Sequence, residues 1–198
     1  MLKNPDAKKQ LEQIKADIIK SNICPDLAQT ATQLVMGHGN PHADIVFIGE
    51  APGKQEDLNG VPFVGAAGKL LDEMLETINL DRISVYITNI VKYRPPDNRD
   101  PLPEEKRAFW PYLLRELKVI KPKVIITLGR HSMSHFLPEA VISEVHGKLL
   151  SLTITDDNDE SLDIQLLPLY HPAAALYNGG LRETLFNDFK IIKKLKNL

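Results

Sequence analysis

Short apolar runs, rich in β-branched residues, recur along this chain between segments of helical periodicity. Runs of this length and composition are typical of strands that are buried on both faces of a parallel sheet. The predicted strands cover residues 44–48, 84–91, 123–128 and 163–169. Residues 141–155 alternate loosely and predict a hairpin, with the acidic stretch 156–160 at its exposed tip.

The segments between these strands carry apolar residues at spacings of three and four. This spacing gives a helix one apolar stripe that faces a core. The predicted helices cover residues 8–20, 68–78, 103–120 and 181–197, with a short helix after Gly129. Strands separated by helices predict an α/β fold: a three-layer sandwich with a central four-stranded, mostly parallel sheet and helices on both faces.

The stretch 44–68 departs most from an ordinary strand-to-helix connection. Its apolar run ends at Gly49-Glu50-Ala51-Pro52-Gly53, where two glycines and a proline force the backbone to turn. A long loop then separates this turn from the next predicted helix, although most such connections are short. Open α/β sheets bind ligands at the carboxyl ends of their strands, so this loop indicates a site.

Each of the four predicted strands ends in a loop with polar or glycine-rich character. The loops read GEAPG, TNIVK, LGRHS and YHPAAA. The carboxyl ends of parallel strands meet at one edge of the sheet. We therefore expect Glu50, Asn89, Arg130 and His171 to share one cleft.

The composition limits the classes of protein to which this chain can belong. With 198 residues it is long enough for one domain with a sizeable core, and we treat 1–198 as a single domain. The formal charge is −2, so any contact with nucleic acid needs a local basic face. The single cysteine, Cys24, excludes an internal disulfide and suits a reducing compartment. The amino terminus does not have the pattern of a signal peptide, and no apolar run approaches membrane-spanning length, so we expect a cytoplasmic monomer.

Five motifs, in this order, resemble family 4 of the uracil-DNA glycosylase superfamily, the thermostable type. They are GEAPG at 49–53, PFVGAAGKLLD at 62–72, YITNIVKYRPPDNRDPLPEE at 86–105, TLGR at 127–130 and HPAAAL at 171–176. The resemblance covers roughly residues 21–190. It implies a DNA repair enzyme that flips uracil out of DNA and hydrolyses its N-glycosidic bond, leaving an abasic site. The chain lacks the arginine–histidine insertion of the relatives that trap DNA covalently, so we expect turnover by a monofunctional enzyme.

The resemblance also implies roles for individual side chains in a uracil pocket. Phe63 stacks on the base, Asn89 reads its O4 and N3–H edge, and His171 donates a hydrogen bond to O2 as negative charge develops there. Glu50 and Glu56 are candidates for positioning water, stabilising the cationic sugar or excluding the methyl group of thymine. Ala51 and Gly53 complete the substrate-binding loop. The best-known branch of the superfamily has a water-activating aspartate at the position of Ala51, so hydrolysis assisted by glutamate rests on analogy.

Contacts to the DNA backbone need N–H groups and cations more than they need side chains that recognise bases. Glycines and helix starts supply free N–H groups for phosphate. Leu176, or Tyr177 beside it, is a candidate wedge for the gap that the flipped base leaves. The residues assigned to DNA are Pro52, Gly65, Lys69, Arg130, Ser132, Pro172, Ala173 and Leu176.

The chain departs from family 4 at the four cysteines that usually hold an iron–sulfur cluster there. The matching positions are Ser21, Cys24, Tyr93 and Trp110, so one thiol remains. A [4Fe–4S] cluster normally takes four thiolates. We therefore expect no cofactor and no metal, and we interpret Tyr93 and Trp110 as aromatic side chains that fill the volume of the cluster.

Two other functions compete with excision. The first is a glycosylase-fold protein that binds damaged or single-stranded DNA without cleaving it. The second is a hydrolase of small phosphates or nucleotides, which the chain supports poorly because it has no glycine–lysine–serine phosphate loop. Taken singly, Phe63 suits a core, and Asn89 and His171 suit turns.

Overall fold

The strands form one mixed sheet in the computed structural model, which describes residues 4–155 and 160–195. They are β1 (His38–Gly39), β2 (Ile45–Gly49), β3 (Tyr86–Asn89), β4 (Val124–Leu128), β5 (Leu150–Thr155) and β6 (Ser161–Leu169). Their order across the sheet is β1-β3-β2-β4-β6-β5. Strands β3, β2, β4 and β6 are parallel, while β1 and β5 pair antiparallel with β3 and β6 at the two edges.

Four longer helices cover the two faces of this sheet, and shorter helices lie in its connections. The longer ones are α1 (Ala7–Lys20), α4 (Ala66–Thr77), α5 (Pro103–Ile120) and α9 (Gly179–Leu195). The shorter ones are α2 (Pro25–Thr30), α3 (Lys54–Asn59), α6 (Arg130–Met133), α7 (Ile142–Val145) and α8 (Pro172–Ala175). Among the residues described, no helix has the length and apolarity needed to cross a bilayer.

Alternation along the central strand divides the core into two layers. Val46 and Ile48 pack with the apolar stripes of α1 and α5 on one face of the sheet. Ile45 and Phe47 pack with those of α4 and α9 on the other face. Successive side chains of a strand point to opposite faces, so a run that is apolar throughout can serve both layers. The predicted three-layer α/β sandwich is confirmed.

The structure differs from the predicted elements in three places. The sheet has two more strands than the four predicted, because β1 is too short to give a periodic signal and β5 lies in the stretch expected to form a hairpin. Within 141–155, residues 142–145 are helical, and β5 pairs instead with β6. The long loop after β2 contains α3, which was not predicted. Most of the predicted acidic tip (156–159) and the last two residues of the predicted final helix lie outside the described residues.

Candidate active site

A cavity of about 360 Å³ opens at the edge of the sheet where the parallel strands end. Glu50, Asn89 and His171 line it together, as the parallel topology predicted, whereas Arg130 is not among the lining residues. The other lining residues are Ala51, Pro52, Gly53, Glu56, Phe63, Ala67, Pro95, Asn98, Arg99, Asp100, Pro101 and Ala173. The volume lies within the range of small-molecule sites.

Asn89 forms the polar floor of this cavity. It is the last residue of β3, it pairs with Gly49 in the sheet, and only 2% of its surface is exposed. Its Oδ1 atom is buried and has no hydrogen-bond partner among the described residues. Buried polar atoms are nearly always paired in native proteins. This free acceptor therefore indicates that the cavity receives a ligand that donates a hydrogen bond.

Phe63 forms an apolar wall next to Asn89, and its backbone is held in an unusual conformation. Its φ of 54° lies in the left-handed region, which bulky residues rarely adopt. Glu56 supports the turn because its Oε1 accepts hydrogen bonds from the N–H groups of Val64 and Gly65, at 2.9 and 2.7 Å. Arg82 holds the other side through a hydrogen bond of 2.7 Å to the carbonyl of Pro62. The turn is thus fixed by side chains outside it.

His171 lies next to Phe63, with the two rings stacked at a centroid distance of 5.6 Å. Its Nδ1 accepts a hydrogen bond of 3.1 Å from the N–H of Ala173. Burial lowers the pKa of His171 to about 4, against a smaller opposing effect of Glu56. The ring is therefore neutral at pH 7. A neutral imidazole whose Nδ1 is an acceptor carries its proton on Nε2.

Glu50 is a partly buried carboxyl group at the cavity wall. Burial, with a further contribution from the charge of Asp100, raises the pKa of Glu50 to about 7. Its Oε1 atom is buried and has no hydrogen-bond partner among the described residues, although Nδ1 of His131 lies 3.4 Å away. A carboxyl group with a raised pKa in a cleft is a frequent feature of catalytic sites.

Glu50, Asp100 and His131 bring one potential metal ligand each within 4.8 Å of one another. Nε2 of His131, however, accepts a hydrogen bond of 3.1 Å from Nε of Arg130. A metal cation bound to Nε2 would have to displace the Arg130 guanidinium from this hydrogen bond, and the positive charge of Arg130 would remain close to it. Neither His131 nor Asp100 was predicted as a site residue, although the loop that carries His131 was expected at this edge of the sheet.

The sequence matches the family model of the Uracil DNA glycosylase superfamily over residues 36–193. It is 47% identical over 191 residues to the Type-4 uracil-DNA glycosylase of Sulfurisphaera tokodaii, which covers 93% of this chain and 84% of that protein. The chain belongs to the uracil-DNA glycosylase superfamily. The Type-4 uracil-DNA glycosylase of Archaeoglobus fulgidus is 47% identical over 190 residues, with 93% of this chain and 92% of that protein covered. That of Thermotoga maritima is 39% identical over 187 residues, with 92% and 93% covered.

Four of the residues assigned to DNA either use their polar group within the protein or are buried. The N–H of Gly65 donates to Glu56 and that of Ala173 donates to His171, so neither is free for phosphate in this conformation. Ser132 is fully buried, and its hydroxyl donates to the carbonyls at 128 and 129. Pro172 is buried as well. Sequence patterns locate such turns but do not reveal whether the fold covers their N–H groups.

The remaining assigned residues are open to solvent or line the cavity. Lys69 and Arg130 are exposed, while Pro52 and Gly53 belong to the wall of the cavity. Leu176 is 38% exposed, whereas its neighbour Tyr177 is 92% exposed. The Tyr177 side chain, with so little of its surface covered, is available to contact a partner. Of the two candidate wedges it is therefore the more exposed.

One thiol remains at the four positions that match the cluster cysteines of family 4. Cys24 is the one cysteine of the chain, and burial raises the pKa of its thiol to about 11, so it keeps its proton at pH 7. Tyr93 is buried and meets Phe109 edge to face at 6.0 Å. Trp110 instead contacts His135 and Phe136. These groups do not fit a four-thiolate cluster, and Tyr93 and Trp110 pack against different aromatic partners.

Proposed function

We propose that this chain is a monofunctional uracil-DNA glycosylase, which flips uracil out of DNA and hydrolyses its N-glycosidic bond to leave an abasic site. One observation carries the proposal: the buried Oδ1 of Asn89, without a hydrogen-bond partner in the described part of the chain, in a cavity that also contains Phe63 and His171. Relatives named Type-4 uracil-DNA glycosylase, 47% identical over most of the chain, support the same activity.

In this proposal Asn89 distinguishes uracil from cytosine. Its Oδ1 accepts a hydrogen bond from N3–H of uracil, and its amide donates to O4. Cytosine has no N3–H and carries an amino group in place of O4, so both contacts would be lost. A site built to pair a substrate N–H strongly rejects an analogue that lacks it, because the buried group is then left unpaired. Phe63 supplies the flat surface on which the base stacks.

His171 stabilises the departing base. As the bond between C1′ and N1 breaks, its electrons leave with uracil and charge builds on O2. A neutral imidazole with its proton on Nε2 donates a hydrogen bond to that oxygen without having to transfer the proton. Such a bond strengthens as the charge develops, so it favours the transition state over the bound substrate.

Glu50 and Glu56 have different surroundings and therefore receive different roles. We assign Glu50 to the water, because its Oε1 has no hydrogen bond to any residue that the structure describes and a carboxyl group that titrates near pH 7 can act as a base. Water then supplies its oxygen to C1′, and its proton passes to Glu50. Glu56 already accepts two N–H groups of the Phe63 turn and positions that ring.

The partner is uracil-containing DNA, with Lys69 and Arg130 as cations near the cavity and the 52–53 turn against the strand. Tyr177, or Leu176, fills the gap left by the flipped base. We also propose that the protein is a cytoplasmic monomer and that it folds without an iron–sulfur cluster. The single thiol of Cys24 and the packing of Tyr93 on Phe109 support these assignments.

The test is an oligonucleotide with a single uracil, incubated with enzyme and then treated with alkali, which cleaves the strand at an abasic site. We expect cleavage at uracil that depends on alkali, and none in matched strands that carry cytosine or thymine. Cleavage before alkali treatment would contradict a monofunctional enzyme. Binding of the uracil strand with no abasic product would instead support the alternative function, a protein that binds DNA without cleaving it.

A further inference from the structure

A fully buried ion pair lies directly behind Asn89. Lys92 and Glu116 both have no exposed surface, and Nζ of Lys92 is 2.8 Å from Oε2 of Glu116. The same ammonium donates to the hydroxyl of Thr88 at 2.6 Å and to the main-chain carbonyl of Asn89 at 2.9 Å. An ammonium group has three N–H donors. All three are therefore used inside the protein.

Lys92 begins the charged, proline-rich segment that follows β3. Its complete burial excludes contact with phosphate in this conformation. Burial lowers the pKa of Lys92, and the neighbouring Glu116 carboxylate acts in the opposite direction. The ion pair between Lys92 and Glu116 thus joins the loop after β3 to α5.

Stability does not explain this pair. Replacing a buried ion pair with apolar residues of similar volume is often neutral or stabilising, because both charges lose their hydration. Here the cost is higher, since Oε1 of Glu116 is buried and has no hydrogen-bond partner among the described residues. A pair that adds little stability beside a functional side chain suggests a role in geometry.

The geometry in question is that of Asn89. Its Oδ1 is not bonded to the described part of the protein, so no hydrogen bond orients that atom directly. Its direction depends on the main chain to which it is attached. On one side the register with Gly49 and the 3.0 Å bond from the N–H of Ile90 to the Gly49 carbonyl hold this main chain. On the other side Lys92 holds the carbonyl of Asn89.

We propose that Lys92 and Glu116 are positioning residues for Asn89: the ammonium fixes the Asn89 carbonyl, Glu116 fixes the ammonium, and the side-chain amide is thereby aimed at the base. This inference rests on the proposed role of Asn89 in reading uracil. Neither residue touches the substrate.

The test replaces both charges at once, as Lys92→Met with Glu116→Met, because a single change would leave the other charge buried and unpaired. We expect the variant to remain folded, with the gain from removing two buried charges offset by the loss of the donor to the carbonyl of Asn89 and the hydroxyl of Thr88. The maximal single-turnover rate on a uracil oligonucleotide should fall about 10²-fold, the effect of misplacing a reacting contact by about 1 Å. The affinity for uracil-free DNA should not change. Arg115→Met is the matched control. Arg115 lies on α5, the helix that carries Glu116, and its exposed ion pair is with Asp17 of α1. This variant should keep the wild-type rate.

A double-mutant cycle with Asn89→Ala separates positioning from general damage. In the Asn89→Ala background the paired substitution should have no further effect on rate, because the group that it positions is gone. Additive losses, or a wild-type rate for the paired variant, would overturn the proposal. A wild-type rate for Asn89→Ala alone would instead refute the proposed role of Asn89 itself.

Discussion

Gly49→Ala adds one methyl group at the point where the pocket is most tightly packed. Gly49 ends β2, and a Cβ there would lie 2.4 Å from Oδ1 of Asn89 and 2.7 Å from two carbons of the Phe63 ring. Its φ is not among the positive values of the chain, so alanine can adopt the backbone without strain. The expected effect is therefore steric and local to the pocket.

The size of the effect follows from these distances. Ordinary contact of a Cβ begins at 3.4 Å, so Asn89 must move by about 1 Å and Phe63 by somewhat less. Forcing an extra methyl group into a packed site costs about 1–3 kcal/mol of stability. A displacement of about 1 Å in a group that orients the substrate costs about 10²-fold in rate. We expect both losses, with the loss in rate persisting in the folded fraction.

The assay is single-turnover excision from a uracil oligonucleotide, run beside a thermal melt. Gly179→Ala is the control, because a Cβ at this first residue of α9 meets nothing within 4 Å. It should leave both the rate and the melting temperature close to those of the wild type. A Gly49→Ala protein that excises uracil at the wild-type rate would refute the pocket geometry, whatever its stability.

Three further predictions concern the pocket and the proposed absence of a cluster. Asn89→Asp should lose most uracil excision and its discrimination against cytosine in a gel assay, since an ionised carboxylate cannot donate to O4; unchanged rates would remove Asn89 from the pocket. Between pH 4.5 and about 7 the native state keeps a proton on Glu50 that the unfolded chain has released. The free energy of unfolding of the wild type should therefore fall, relative to that of Glu50→Gln, as the pH rises through this range. Denaturant titrations at both ends of the range measure this, and parallel pH dependence would contradict it. Protein purified without oxygen should be colourless, and stoichiometric iron and sulfide in it would overturn the proposed absence of a cluster.

The layers of the fold were predictable because each depends on local periodicity. The run Ile45 to Ile48 is apolar at every position, which is the pattern of a strand buried on both faces, and the structure places it at the centre of the sheet. The two edge strands were not predictable in the same way. β1 has only two residues, and β5 has an alternating pattern that fits pairing with any neighbour.

For the site, the sequence indicated which loops meet but not how their polar atoms are used. Glu50, Asn89 and His171 come together because parallel strands end at one edge. In contrast, Lys92 in a proline-rich, charged loop has every local sign of an exposed cation, and only its tertiary contact with Glu116 buries it. The N–H groups of Gly65 and Ala173, which the sequence indicated as free, likewise have acceptors that are side chains at other positions.

The central claim is that this pocket stabilises uracil as it leaves with a negative charge, and His171→Ala tests it most directly. Single-turnover excision should slow by about 10²–10³-fold, the usual cost of removing one oxyanion donor, while the affinity for uracil-free DNA stays the same. Because His171 also accepts the N–H of Ala173, a thermal melt must accompany the assay so that the rate refers to folded protein. A variant that is less stable but whose folded fraction excises uracil at the wild-type rate would contradict the account.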